Sequence, residues 1–147
     1  MVRQINTVVV GGGQAGLAMS RHLSLANVPH VVLEKNRIAE AWRSFRWDAL
    51  VANGPAWHDR FPDKEFDDTA PDGFAPKQSV AEYLEDYAHQ YDLPVETGVE
   101  VLRACAKDAG YLVETSEGTY QTDNIVVATG AFQVPLIPPV IPQEAPV

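Results

Sequence analysis

The feature that most constrains the fold lies near the N-terminus, where Thr7-Val8-Val9-Val10 runs directly into Gly11-Gly12-Gly13-Gln14-Ala15-Gly16. A β-branched run followed by G-x-G-x-x-G reads as a strand ending in a tight glycine turn, and Leu17-Ala18-Met19-Ser20-Arg21-His22-Leu23 then reads as a helix. Val31-Val32-Leu33-Glu34 supplies a second strand that ends in an acid eighteen residues past Gly16. Strand, glycine turn, helix, strand and acid in this order form a dinucleotide-binding fingerprint in its structural context. Gly11 lets the chain turn sharply, Gly13 carries no side chain to block a pyrophosphate, and Gly16 lets the helix approach the strand. The helix N-terminus offers free N–H groups and a positive dipole end to phosphates. Glu34 is placed to accept hydrogen bonds from ribose hydroxyls, and its charge would repel a 2′-phosphate, which favours FAD or NAD over NADP. The alternative is a glycine-rich turn that holds no ligand.

The 147 residues suffice for one domain with a real core, and 46% are apolar, as in globular chains. No run of eighteen apolar residues occurs, so no membrane span is expected. The chain enters its first strand within a few residues, without a signal-peptide pattern, which points to the cytoplasm. Cys105 is the one cysteine, in a strand-like setting where a buried, inert thiol is expected. Charge is uneven: residues 1–60 carry seven Lys/Arg against four Asp/Glu, whereas 61–147 carry four against sixteen. The neutral-to-basic part coincides with the candidate pyrophosphate site, and a net charge of −9 excludes nucleic acid as a natural partner.

Beyond Glu34, residues 35–43 suggest a short helix, 44–62 irregular structure with Trp47 and Trp57, and 63–76 an acidic loop. A helix is expected from Ser79 to Tyr91, with Ser79 and Glu82 as a capping box and Val80, Tyr83, Leu84, Tyr87, Ala88 and Tyr91 on its core face. Gly98–Ala104 alternates as a strand, Tyr111–Thr115 and Thr119–Thr122 form a hairpin about Ser116-Glu117-Gly118, and Ile125–Ala128 reads as a central strand covered on both faces. Residues 133–147 hold five prolines without periodicity and read as a linker. The expected fold is a three-layer α/β Rossmann-like domain over residues 1–132, with a parallel sheet of Thr7–Val10, Val31–Glu34, Gly98–Ala104 and Ile125–Ala128 and a small antiparallel meander.

These motifs, with Trp42-Arg43-Ser44-Phe45-Arg46-Trp47-Asp48, Pro71-Asp72-Gly73-Phe74 and Val126-Val127-Ala128-Thr129-Gly130-Ala131-Phe132, run nearly end to end along the chain. Through them it resembles the N-terminal FAD-binding portion of flavin-dependent monooxygenases, the group containing flavin-containing and Baeyer–Villiger monooxygenases. The resemblance implies a pyrophosphate turn at Gly11, Gly13, Gln14, Ala15 and Gly16, a ribose ligand at Glu34 and a residue beside the adenine at Lys35. It also implies that Trp42 and Arg43 lie along the cofactor, that Val101 offers backbone to the adenine, and that Thr129 and Gly130 approach the cofactor by main chain. For the tryptophans the competing role is packing, and for Arg43 a solvated surface position. No catalytic residue and no metal ligand is expected, since His22, His30, His58 and His89 lack metal-like spacing.

Two departures from the family pattern stand out. Ala39-Glu40-Ala41 replaces the Gly-Gly that often precedes the tryptophan, and no second G-x-G-x-x-G for NADPH occurs before Val147. The expectation is therefore an FAD-binding module that does not oxidise NADPH alone, NADPH entering only through a domain supplied by a partner. Alternatives are a non-enzymatic remnant or partner subunit of a split flavoenzyme, with a homo-oligomer or second subunit covering apolar surface, and an NAD-binding dehydrogenase domain.

Overall fold

The computed structural model describes residues 2–132; the stretch read as a Pro-rich linker, 133–147, lies outside the described residues. The chain runs β1 (Val2–Val10), α1 (Gln14–Leu25), β2 (His30–Glu34), α2 (Glu40–Ser44), α3 (Ala56–Asp59), α4 (Lys77–Gln90), β3 (Val95–Thr97), β4 (Val101–Lys107), β5 (Gly110–Thr115) and β6 (Gly118–Val127). The strands form one sheet in the order β3-β2-β1-β6-β5-β4. β1 is parallel to both β2 and β6, β3 is parallel to β2, and β5 is antiparallel to β4 and β6.

Side chains alternate across the parallel strands and build two cores. Val8, Val31 and Leu33 face Val99, Val113 and Tyr120 from the meander side. On the other face Leu17 of α1 joins Val80, Ala81, Leu84 and Tyr87 of α4. Helices, parallel strands and an antiparallel meander are thus all present as expected, the meander continuing the same six-stranded sheet. Each such Val or Leu taken fully out of water stabilises the fold by about 1.5–3 kcal/mol.

Four details differ from the sequence expectation. The parallel position beside β2 belongs to Val95–Thr97, not Gly98–Ala104: Gly98 takes φ +76, the chain turns, and β4 pairs antiparallel with β5 as an edge strand. Secondly, Thr119–Thr122 and Ile125–Ala128 are not two strands. The polar step between them stays in the sheet because Thr122 Oγ1 donates to the Asn6 carbonyl (2.9 Å) and Asn6 Nδ2 to Asp123 Oδ2 (3.0 Å). β6 is therefore continuous, paired on one edge with the meander and on the other with a nine-residue β1. Its end is not covered on both faces, since α1 lies over β1 and β2 and leaves Val127 75% exposed.

Thirdly, α4 begins at Lys77 behind an extended Pro76, so Ser79 lies inside the helix and its hydroxyl donates to Asp68 instead of capping. Proline at that point lacks only a donor that the helix start does not use. The tyrosine stripe is core-facing as expected: Tyr83 and Tyr87 are buried. Lastly, Cys105 on β4 is half-buried, not buried, because an edge strand has a single covered face.

Tyr83 ties the irregular segment to α4. Its hydroxyl accepts from the Phe61 N–H (2.6 Å) and donates to the Lys64 carbonyl (2.9 Å), and burial pushes its pKa up to about 12. Tyr83→Phe leaves the buried Phe61 N–H without an acceptor, at a cost of about 1–3 kcal/mol. We expect a lower Tm and faster hydrogen exchange at the Phe61 amide; unchanged exchange there would refute the tether.

Candidate functional site

The parallel strands β1, β2 and β6 all end at one edge of the sheet, and the segments leaving them wall a groove of about 940 Å³. That lies at the upper end of the range for small-molecule sites, and the C-terminal edge of parallel strands is where α/β folds bind ligands. The floor is the β1–α1 turn. Gly11 has φ +112, and a Cβ there would sit 2.5 Å from the Ala128 carbonyl oxygen, so this glycine lets the ends of β1 and β6 close together. A Cβ on Gly16 would enter the Gly11 carbonyl oxygen, which is how closely α1 rests on the turn. At Gly13 a Cβ would meet nothing within 4 Å, because it would project into the groove.

α1 starts at Gly13 with no side-chain cap and no acid in its first turn, so its free N–H groups and dipole face the groove at Gln14 and Ala15. Glu34 lines one end of the groove. Its Oε2 accepts from the Gly12 N–H (2.7 Å) and Oε1 from the Asn36 N–H (2.8 Å), which fixes the carboxylate while leaving each oxygen further acceptor capacity. Lys35 and Val101 line the same end, as does Val99, whose N–H donates to the Glu34 carbonyl (3.0 Å).

Ala128, Thr129 and Gly130 wall the opposite end with Trp42, Phe45, Arg46 and Phe132. The turn into α2 is made without glycine: Ala39 is buried in the left-handed region, at φ 59 and ψ 27. It is held there by donating to the Gly12 carbonyl (3.1 Å) and accepting from the Trp42 N–H (2.9 Å). Glu40 also lines the groove, yet its charge is engaged: the Arg37 guanidinium, with help from Ser44, holds its carboxyl down at about 2.

Most of the residues singled out in the sequence therefore meet in one groove: Gly11, Gly13, Gln14, Ala15, Glu34, Lys35, Trp42, Val101, Thr129 and Gly130 all line it. Gly16 supports it from beneath. Arg43 does not line it; its guanidinium reaches Glu85 (2.5 Å) and the Ile38 carbonyl (3.4 Å), bracing α2 against α4. Trp42 packs against the helical core, whereas Trp47 and Trp57 are exposed. Sequence reasoning missed Gly12, whose N–H anchors Glu34 and whose added Cβ would meet the Glu34 Cβ at 2.9 Å. It also assigned no role to Arg46, which lies two residues past the end of α2 and whose contacts with Trp42 and Phe132 no local pattern reveals.

His30 is structural: in the neutral ring Nδ1–H donates to the Val28 carbonyl and Nε2 accepts from Ser20, both at 2.8 Å. Among the described residues no group of three or more His, Cys, Asp or Glu is arranged to hold a metal, and no helix is long and apolar enough to cross a membrane.

Residues 8–146 match the family described as pyridine nucleotide-disulphide oxidoreductase. The chain is 39% identical over 136 residues to an uncharacterized CzcO-like oxidoreductase of Geobacillus kaustophilus, covering 92% of this chain and 38% of that protein. It is 33% identical over 138 residues to the indole-3-pyruvate monooxygenase YUCCA6 of Arabidopsis thaliana, covering 89% of this chain and 33% of that one. Among solved structures it is similar to a flavin monooxygenase variant from Stenotrophomonas maltophilia, with a TM-score of 0.77 at 25% identity over 86% of this chain and 38% of the other. The chain thus spans between a third and two fifths of the length of these relatives.

Proposed function

The chain belongs to the pyridine nucleotide-disulphide oxidoreductase family, and from that premise we infer that its groove holds FAD, the chain forming the FAD-binding part of a flavin monooxygenase-like oxidoreductase. The observation that carries this reading is the order of groups along one groove: Glu34 at one end, the open Gly13 and the N-terminus of α1 in the middle, Thr129 and Gly130 at the other. A dinucleotide laid along it meets ribose acceptors, then phosphate donors, then main chain suited to a ring system. Glu34 would hold the adenosine ribose beside Lys35 and Val101, and its carboxylate would disfavour a ligand carrying a 2′-phosphate there. The N–H groups of Gln14 and Ala15 would take the pyrophosphate. Trp42 and Phe132 would cover the ring and keep water from it.

Bound FAD would supply two-electron chemistry; the chain's part is binding, orientation and exclusion of water. The monooxygenase character, and the entry of NADPH through a partner domain, rest on likeness to longer relatives such as those of Geobacillus and Arabidopsis. A second reading, a partner subunit of a larger flavoenzyme, is favoured by the apolar surface at the far end of the groove, where Phe45 (68%) and Phe132 (79%) are largely exposed beside Val127.

The test is the visible spectrum of the purified protein with and without added FAD, read after gel filtration. Flavin bands co-eluting with the protein are the expected result, and an elution volume larger than a monomer's would favour the subunit reading as well. A colourless protein after incubation with excess FAD would refute the assignment.

A further inference from the structure

Arg46 is a cation seated against two aromatic rings, with no counter-ion among the described residues. Its guanidinium lies 5.0 Å from the Phe132 ring centroid and 5.7 Å from that of Trp42, half-buried at the Ala128–Phe132 end of the groove. Its backbone is pinned: Lys77 Nζ donates to the Arg46 carbonyl (3.1 Å) and to Asp48 Oδ1 (2.8 Å). Three acids of the neighbouring segments have other partners, Asp48 with Lys77, Glu40 with Arg37 and Glu85 with Arg43. Among the described residues Arg46 forms no ion pair. Among the described residues lining the groove the cations are Arg46, at this end, and Lys35, beside Glu34.

We propose that Arg46 meets the negative charge of a reduced flavin ring and so sets how readily the bound ring takes up electrons. The inference rests on the FAD reading above, which places the second half of the dinucleotide at the end away from Glu34. The oxidised ring is neutral; uptake of two electrons and one proton leaves it with one net negative charge. A guanidinium stays protonated across the working pH range, so its attraction is present for the reduced form and nearly absent for the oxidised one. Charge near the ring nitrogens is one of the ways a protein tunes this cofactor. The two rings hold the guanidinium beside the groove, 5.0 Å from the Phe132 centroid and 5.7 Å from that of Trp42, and the Lys77 contact holds the backbone that carries it.

The experiment is an anaerobic dithionite titration of the FAD-loaded protein against a reference dye, for the unaltered chain, Arg46→Met and Arg46→Lys. Arg46→Met is expected to weaken the reduced form about tenfold relative to the oxidised form, a midpoint lower by about 30 mV for a two-electron couple. Arg46→Lys keeps the charge and is expected to restore most of that difference. A purely structural role would weaken both forms alike and leave the midpoint where it was. If Arg46→Met does not fold, Arg46→Gln removes the charge while keeping donors and carries the same test. An unchanged midpoint in the charge-removing variant, or an equal drop in Arg46→Lys, would overturn the inference with the FAD assignment intact. Absence of bound flavin in the unaltered protein would overturn that assignment, and this inference with it.

Discussion

Gly16→Ala should be the most damaging single-methyl change in the described chain, costing about 3 kcal/mol, the upper end for overpacking. The added Cβ would enter the carbonyl oxygen of Gly11 and would lie 3.5 Å from Val9 Cγ1. Main chain cannot rotate aside as a side chain does, so α1 must lift off the turn or the turn must open. Both alternatives loosen Leu17, which is wholly buried at the start of the helix. The effect is expected as a fall in Tm of roughly 10 °C on thermal unfolding, since each kcal/mol moves a domain of this size by a few degrees. A Tm within a degree or two of the unaltered protein would mean that α1 does not rest on Gly11 as described.

Gly13→Val is the counterpart, three residues away and opposite in kind. Gly13 has φ −92 and ψ −168, extended backbone open to any residue, and nothing lies within 4 Å of its added Cβ. Stability should move by no more than about 1 kcal/mol, the poorer helix-capping of valine being the main term. The isopropyl group would stand in the groove over the first N–H groups of α1, where the pyrophosphate is proposed to lie. FAD affinity is expected to fall about a hundredfold, roughly 3 kcal/mol, in a titration followed by flavin fluorescence. Folded protein with unaltered affinity would show that no ligand approaches the turn at Gly13.

The contrast between these two glycines shows which parts of the site are legible in sequence. Gly11, Gly13 and Gly16 are readable from their fixed spacing between a strand and a helix: the positive φ of Gly11 and the close approach at Gly16 demand glycine, and Gly13 leaves the groove open. Glu34 is readable because it ends the next strand. Gly12 was not, since its task is to donate to Glu34, a partner 22 residues on that no local pattern reveals. Arg43 resembles a cofactor contact in sequence, but its direction was set by Glu85 on α4, 42 residues away. The strand beside β2 was misplaced for a related reason. Alternation identifies a half-covered strand and is blind to its neighbour, so Val95–Thr97 and Val101–Lys107 compete until the positive φ of Gly98 is known. β6 was divided because Asp123-Asn124 reads as a break, and only its pairing with the equally polar Asn6 keeps it whole.

The double allegiance of β6 also has a consequence during synthesis. Asn6 and Thr122 hydrogen-bond across 116 residues of chain, so β1, ahead of the other described strands, is among the last to be paired on both edges. At about 5–20 residues per second, β1 spends on the order of 10 s beside β2 with its other edge open. Val8 and Val9, wholly buried in the finished protein, are then waiting at an unfinished sheet. Such an edge is a template for any other extended chain. The polar first half of β1, with Arg3, Gln4 and Asn6, leaves that edge poorly suited to pairing with a stranger until β6 arrives.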